Sequence, residues 1–376
     1  MPVREYRYIL KMRTTYRYGF FAVLMVHAVA CVQNSKALLD EQKAELGRQI
    51  FFDTNLSLNS NQSCGSCHDP SASFADPSMH TSGVSEGSDN SKFGTRNTPA
   101  IGYAMFSPAA RFDAEVGTMV GGQFLDQRVG TLAEQALKPF LNPVEMANAN
   151  SDSVVSRVMT RPYAAEFRKV FGEQVFADKA AAYIMIGEAI AEFERGPLFG
   201  RFDSKFDAVR RGKANFTEQE ARGLALFNGK GNCAACHPSA GDAPLFTDFT
   251  NDNIGVPKNS QIPINDPLSP AYNASFSDRG LGAVLGDRAF DGRFKVPSLR
   301  NVAVTAPYMH NGYFKNLRDV VRFYNSACAP GNPDGWDAPE FPDTQNCNEL
   351  GDLGLSDDEI DALVAFLGTL TDGYRH

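Results

Sequence analysis

The stretch C64-G-S-C-H68 returns later in the chain as C233-A-A-C-H237, so two cysteines two residues apart are twice followed by a histidine. Three chemistries use two thiols at that spacing: a metal clamp, a redox dithiol, or thioether attachment of a haem whose iron takes the adjacent histidine. A zinc site needs four ligands closing one tetrahedron, and it leaves His68 and His237 without a purpose. A thioredoxin-like dithiol expects a βαβ context, whereas loop and helix patterns surround both motifs. Two copies in one exported chain favour two covalently bound haem c groups held through Cys64, Cys67 and His68, and through Cys233, Cys236 and His237.

Export is read from the first 30 residues. Arg4, Arg7, Lys11, Arg13 and Arg17 precede an apolar run from Gly19 to Ala30 that is short for a membrane span, as in a signal peptide. The segment A28-V29-A30-C31 fits a cleavage site and also places Cys31 where a lipoprotein is acylated, so contact with a membrane is expected only if Cys31 is lipidated. The expected compartment is the periplasm.

The 376 residues are 43% hydrophobic with a formal charge of −8; the leader is basic, so the remainder is more acidic still. An acidic surface argues against nucleic-acid partners. Beyond the four motif cysteines and Cys31, Cys328 and Cys347 bound a loop rich in Pro, Asn, Asp and Gly, and in an oxidising compartment they are expected to form a disulfide.

The chain reads as a weak tandem repeat of mainly α-helical units with long loops. Residues 37–53 carry helical apolar spacing into the first motif. Residues 216–232 do so into the second, opened by a capping box of Thr217 and Glu220. A last helix begins at Ser356 with another capping box. Strand signals are nearly absent. The expected division is a leader at 1–30, a first haem domain at 31–196 and a second at 197–376, each resembling a cytochrome c unit.

Further stretches stand in a fixed order around the motifs. The first motif is followed by RNTP from Arg96 to Pro99, FLDQR from Phe124 to Arg128 and PFLNPVEM from Pro139 to Met146. The second is followed by KVPSLRNV from Lys295 to Val302 and APYMHNG from Ala306 to Gly312. In this order the chain resembles the bacterial di-haem cytochrome c peroxidases and, within them, the MauG branch, over about residues 38–371. The resemblance implies that Glu145 is the catalytic acid/base and Gln135 its pocket partner, acting on hydrogen peroxide at the first haem. It implies a calcium ion held by the Asn97 side chain and the carbonyls of Thr305 and Pro307. At the second haem the family's axial position falls on Tyr324, within a helix that places Leu317, Val320, Val321 and Tyr324 on one face.

Spacing alone would instead choose Met309, and His80 is a candidate sixth ligand for the first haem. A tyrosinate favours ferric and higher-valent iron, whereas a methionine raises the potential. Tyr324 therefore implies a MauG-type oxidation of a side chain on a periplasmic protein by a high-valent haem state. Met309 would imply a peroxidase fed by a small cytochrome or copper protein. A non-enzymatic di-haem electron carrier is the third reading, and Glu145 and Gln135 argue against it. Where the family places Trp and Gly in the 124–128 stretch, this chain has Leu125 and Gln127; its single tryptophan is Trp336.

Overall fold

The computed structural model describes residues 36–80 and 82–375, the side chains of Met79 and His80 excepted. The leader, Cys31 and any ligand role of His80 therefore lie outside the described residues. The described chain is mainly helical. Helix α1 spans 36–51 and α2 is the single turn Cys64–Cys67. Then come α3 (Leu132–Ala136), α4 (Lys138–Leu141), α5 (Ser151–Val158), α6 (Ala164–Phe171) and α7 (Lys179–Glu194). The rest of the chain adds α8 (Lys205–Arg210), α9 (Glu218–Asn228), α10 (Leu281–Leu285), α11 (Leu317–Ser326) and α12 (Asp357–Gly368).

The apolar face of α1, with Leu46, Ile50 and Phe51, packs into a core reaching Phe199 that also takes in Ile186, Ala189 and Ile190 of α7. A second core runs from Phe206 to Leu370 and joins Phe227 of α9 to Ile360, Leu363 and Phe366 of α12. The helix leading into each motif crosses a later helix at a glycine. A methyl group on Gly47 would meet the Ala189 carbonyl oxygen at 1.9 Å, and one on Gly223 would meet that of Ala362 at 2.0 Å. Only a residue without Cβ lets the backbones approach so closely. The expected capping boxes at Thr217 and Ser356 are present, each hydroxyl accepting the N–H of the glutamate three residues on.

Among the described residues the strands are short and lie at the seam between the cores. β1 (Arg111–Asp113) pairs antiparallel with β2 (Thr118–Val120), Phe112 opposite Met119. β3 (Asn251–Asp252) pairs with β4 (Phe294–Lys295), Asn251 opposite Lys295. Thr118 donates its hydroxyl to Asn251 Oδ1 at 2.8 Å, and the Lys295 N–H reaches the Leu125 carbonyl at 2.7 Å. Cys328 and Cys347 form the expected disulfide.

Candidate functional site

Both cysteine motifs open into one cavity of about 820 Å³ with mostly apolar walls. In the first motif the α2 turn is closed by the His68 N–H bonding the Cys64 carbonyl at 2.9 Å, which aims Cys64, Cys67 and His68 into the cavity. The His68 ring places Nδ1 3.0 Å from the Phe74 carbonyl oxygen. His237 does the same with Phe246 at 2.7 Å. A carbonyl only accepts, so Nδ1 carries the proton in both rings and each Nε2 is left with a lone pair. Burial pushes both imidazoles down, keeping them neutral, the form that ligates iron.

Phe74 and Phe246 supply these carbonyls from the left-handed region, at φ 63° and 54°, and both side chains are buried. The strain of that conformation, on the order of 1 kcal/mol, is held in place by packing: Phe74 stacks on Phe199 at 4.1 Å, and Phe246 meets Phe206 edge-on at 5.1 Å.

Burial pushes the Cys67, Cys233 and Cys236 thiols up to about 12, and Cys64 higher still. A redox dithiol needs the opposite shift. Among the described residues no three of His, Cys, Asp and Glu converge as a metal cluster, so the thiol pairs do not close a zinc tetrahedron. Paired neutral thiols, a free Nε2 beside each pair and an apolar chamber fit two covalently attached haem groups.

The wall near the first motif carries Glu145 and Gln135, the expected acid/base pair. Glu145 sits in the turn after α4, its N–H on the Asn142 carbonyl at 3.0 Å and its own carbonyl taking the Ser88 N–H at 2.7 Å. Glu145 and Gln135 of α3 both line the cavity. Burial pushes the Glu145 carboxyl up, against the pull of Arg128 and a hydrogen bond from Asn142. Arg128 stacks on the Phe124 ring at 3.7 Å and pairs with Asp126 at 2.7 Å, so the cation beside Glu145 is fixed from two sides.

Near the second motif, Tyr324 of α11 lines the cavity, and so does Met309. The phenol of Tyr324 is pushed up by burial first and then by the nearby Cys236 and Cys233 sulfurs, which places it beside the second attachment site. Met309, at φ 71°, also packs outward into an apolar cluster with Phe314, Phe323 and Trp336. Of the three residues expected at calcium, Asn97 is buried with its side-chain amide 2.5 Å from the Pro307 carbonyl oxygen. Thr305 lines the same cavity.

Four groups in the cavity wall were not singled out from the sequence. Glu194, the last residue of α7, is 6% exposed, and burial pushes its carboxyl up to about 8. Lys295 is pushed down to about 8 by burial and donates to the Gly122 carbonyl at 2.7 Å. His310 lies flat on Phe294 at 3.8 Å, and its Nε2 has no partner. Arg96 pairs with both Asp126 and Asp278 at 2.6 Å. The only sequence signal was that Arg96, Lys295 and His310 lie inside motifs; Glu194 ends an apolar helix and carries none.

Gln127 takes a left-handed conformation, φ 58°, that glycine adopts freely. Its amide donates to the Gly121 and Phe249 carbonyls at 2.9 and 3.0 Å and accepts from Asn251 at 2.7 Å, which ties the two halves together and offsets the strain.

Comparison with known proteins gives the family. The profile described as di-haem cytochrome c peroxidase matches residues 41–215. The methylamine utilization protein MauG of Paracoccus denitrificans is 43% identical over 353 residues, 89% of each chain. The chain belongs to the di-haem cytochrome c peroxidase and MauG family. Its members are haem oxidoreductases, and two haem c groups are the cofactors the family implies. Cytochrome-c peroxidase IdrP2 of Denitromonas iodatirespirans is 31% identical over 87% of this chain and 81% of its own. The solved diheme peroxidase BthA of Burkholderia thailandensis superposes with a TM-score of 0.78 at 34% identity, covering 88% of this chain and 86% of that one. Both names of the family, MauG and peroxidase, thus stand among the relatives.

Proposed function

We propose that this family member is an exported, MauG-type oxidase: hydrogen peroxide is reduced at the first haem, and the oxidising equivalents are spent on a side chain of a periplasmic protein. The two cores are read as two cytochrome c-like domains meeting near Gly196 and Pro197. When bound, the haem groups supply the redox chemistry: peroxide reduction at the first and storage of oxidising equivalents at the second. The protein's own contribution is geometric and protonic.

One observation carries the reading: half-buried Glu145 lines, together with Gln135, the wall of the chamber that holds the first motif. In the proposed mechanism Glu145 takes the proton from the inner peroxide oxygen and returns it to the outer one, so that the leaving oxygen departs as water. Its raised pKa suits both halves of that shuttle. Gln135 orients the peroxide, and Arg128 limits how far the Glu145 pKa rises. Lys295, which donates to the Gly122 carbonyl and has no acidic partner among the described residues, is suited to an acidic substituent of a haem.

Tyr324 is the proposed axial ligand at the second haem, supported by its place beside Cys233 and Cys236. Asn97 with the Thr305 and Pro307 carbonyls is the proposed calcium set, a hard-oxygen arrangement. The test of the reading is Glu145→Gln, which should slow the reaction of ferric holoprotein with stoichiometric peroxide by about a hundredfold or more; an unchanged rate in stopped flow removes Glu145 from the mechanism.

Met309, which also lines the cavity, favours a second reading. With Met309 as the ligand the protein would be a cytochrome c peroxidase, and reduced cytochrome c would sustain brisk turnover.

A further inference from the structure

Behind Tyr324 and Met309 the cavity wall continues into a cluster of aromatic rings that reaches the surface. Tyr308, Met309 and Val320 line the cavity and also pack in this cluster with Phe314, Phe323 and Trp336. Phe314 and Phe323 lie 5.1 Å apart, and the Trp336 indole sits edge-on to them at 5.5 and 5.6 Å. The indole is partly exposed, and it is the only one in the chain.

Its surroundings are built rather than incidental. The loop is closed by the Cys328–Cys347 disulfide, and Asn332 grips the Trp336 backbone on both sides, accepting its N–H at 2.9 Å and donating to its carbonyl at 2.7 Å. The indole Nε1–H donates to Ser326 Oγ at 2.8 Å, and Ser326 donates in turn to Asp334. Ser326 and then Arg322 hold the Asp334 carboxyl below the usual range, so an anion stands at the end of the chain. Tyr313 repeats the arrangement on a smaller scale: its ring is 4.9 Å from Phe314, and its hydroxyl donates to exposed Asp337 at 2.7 Å.

We propose that Trp336 is the outer relay of an electron path from the second-haem wall to the surface, where a phenol or indole side chain of the protein partner delivers its electrons. The proposal rests on the peroxide-driven reading above. Indole is among the most readily oxidised side chains, and an acceptor for its proton makes the oxidation easier. In each passage Trp336 gives one electron inward, its Nε1 proton shifts to Ser326 Oγ, and Ser326 passes its own proton to Asp334. The partner then returns one electron to Trp336 and the two protons shift back. Two passages take two electrons from the partner, which releases two protons to solvent, while hydrogen peroxide gains the two electrons, takes up two protons from solvent and becomes two waters.

Two measurements on the holoprotein separate this relay from the peroxide reading. In the first, the reduced protein is flashed with tris(bipyridine)ruthenium, whose photogenerated ruthenium(III) draws electrons from the surface while haem oxidation is followed optically. Trp336→Phe, which keeps a ring in the pocket but removes the oxidisable group, should slow haem oxidation at least tenfold. Trp336→Tyr, oxidisable and of similar bulk, should restore most of it. Equal rates in wild type and Trp336→Phe overturn the relay, and so does a Tyr variant as slow as Phe.

In the second, peroxide is added with a radical trap and the adduct is mapped by mass spectrometry. An adduct on Trp336, moving to Tyr313 in Trp336→Phe, supports the path; an adduct on buried Tyr103, which also lines the cavity, contradicts it. Failure of the wild type to react with peroxide sinks the functional reading, and the flash experiment still decides the relay.

Discussion

His68 and His237 are held alike, each ring donating to the carbonyl of a buried phenylalanine in a left-handed conformation. The helices leading to them are locked alike as well, through Gly47 against Ala189 and Gly223 against Ala362. The walls facing the two histidines differ. Near the first stand carboxyl and amide groups, Glu145, Gln135 and Glu194; near the second stand Tyr324 and Met309 with an aromatic cluster behind them. The repeated features suit the haem c groups that the family implies, with a histidine offered to each. In the proposed reading, the features that are not repeated set what each site does: one wall moves protons, the other supplies a ligand and a way in for electrons from the partner.

The largest expected effect comes from breaking what the halves share. Cys64→Ala and Cys233→Ala should each halve the covalent haem content, measured by intact mass and haemochrome absorbance, because each motif attaches its own group. Loss of both groups from either variant would show that the two attachments are not independent.

Next is a fully buried ion pair, which among the described residues only the second half has. Arg300, fully buried, is paired with Asp207 at 2.6 Å. Burial pushes the Asp207 carboxyl up, but its hydrogen bonds to Arg300 and Ser204 outweigh this and leave it below the usual range. Asp207→Ala strands the guanidinium and should cost about 3–5 kcal/mol, read by denaturation of the second core. Because the folded pKa is depressed, this stabilisation is present above the ordinary carboxylate range and is lost as pH falls through the folded value. Acid denaturation of Asp207→Ala should therefore be flatter than that of the wild type below about pH 4.

Glu194 offers a smaller, opposite test in the first half. Its folded pKa is raised from 4.5 to about 8, so the stability linked to its proton is full below about 4.5 and is lost as pH rises toward about 8. Glu194→Gln should flatten the stability profile across that window in pH-dependent unfolding. An unaltered slope would mean that Glu194 is not the buried acid of this wall.

The features legible in the sequence were local ones. The cysteine motifs, helix α1, the capping boxes at Thr217 and Ser356 and the Cys328–Cys347 staple depend on residues close in sequence or on a strong spacing rule. The backbone positions of Phe74 and Phe246 were not legible, because phenylalanine has no propensity for positive φ and is held there by rings from elsewhere in each core. Arg96 was visible as a motif residue, yet its partner Asp278 lies 182 residues away. Gln127 read as a lost glycine; the structure turns it into a tie between halves, since its partners Phe249 and Asn251 come from the second half. Tyr324 and Met309 both reach the cavity, so folding alone does not choose between them.

That choice is where the contrast between the two walls is tested most directly, by electron paramagnetic resonance and near-infrared spectra of the resting ferric holoprotein with its Tyr324→Phe and Met309→Leu variants. The expected result is one high-spin site that vanishes on adding stoichiometric peroxide and one low-spin site without the methionine band, changed by Tyr324→Phe and untouched by Met309→Leu. Two low-spin sites at rest, or a methionine band abolished by Met309→Leu, would contradict it.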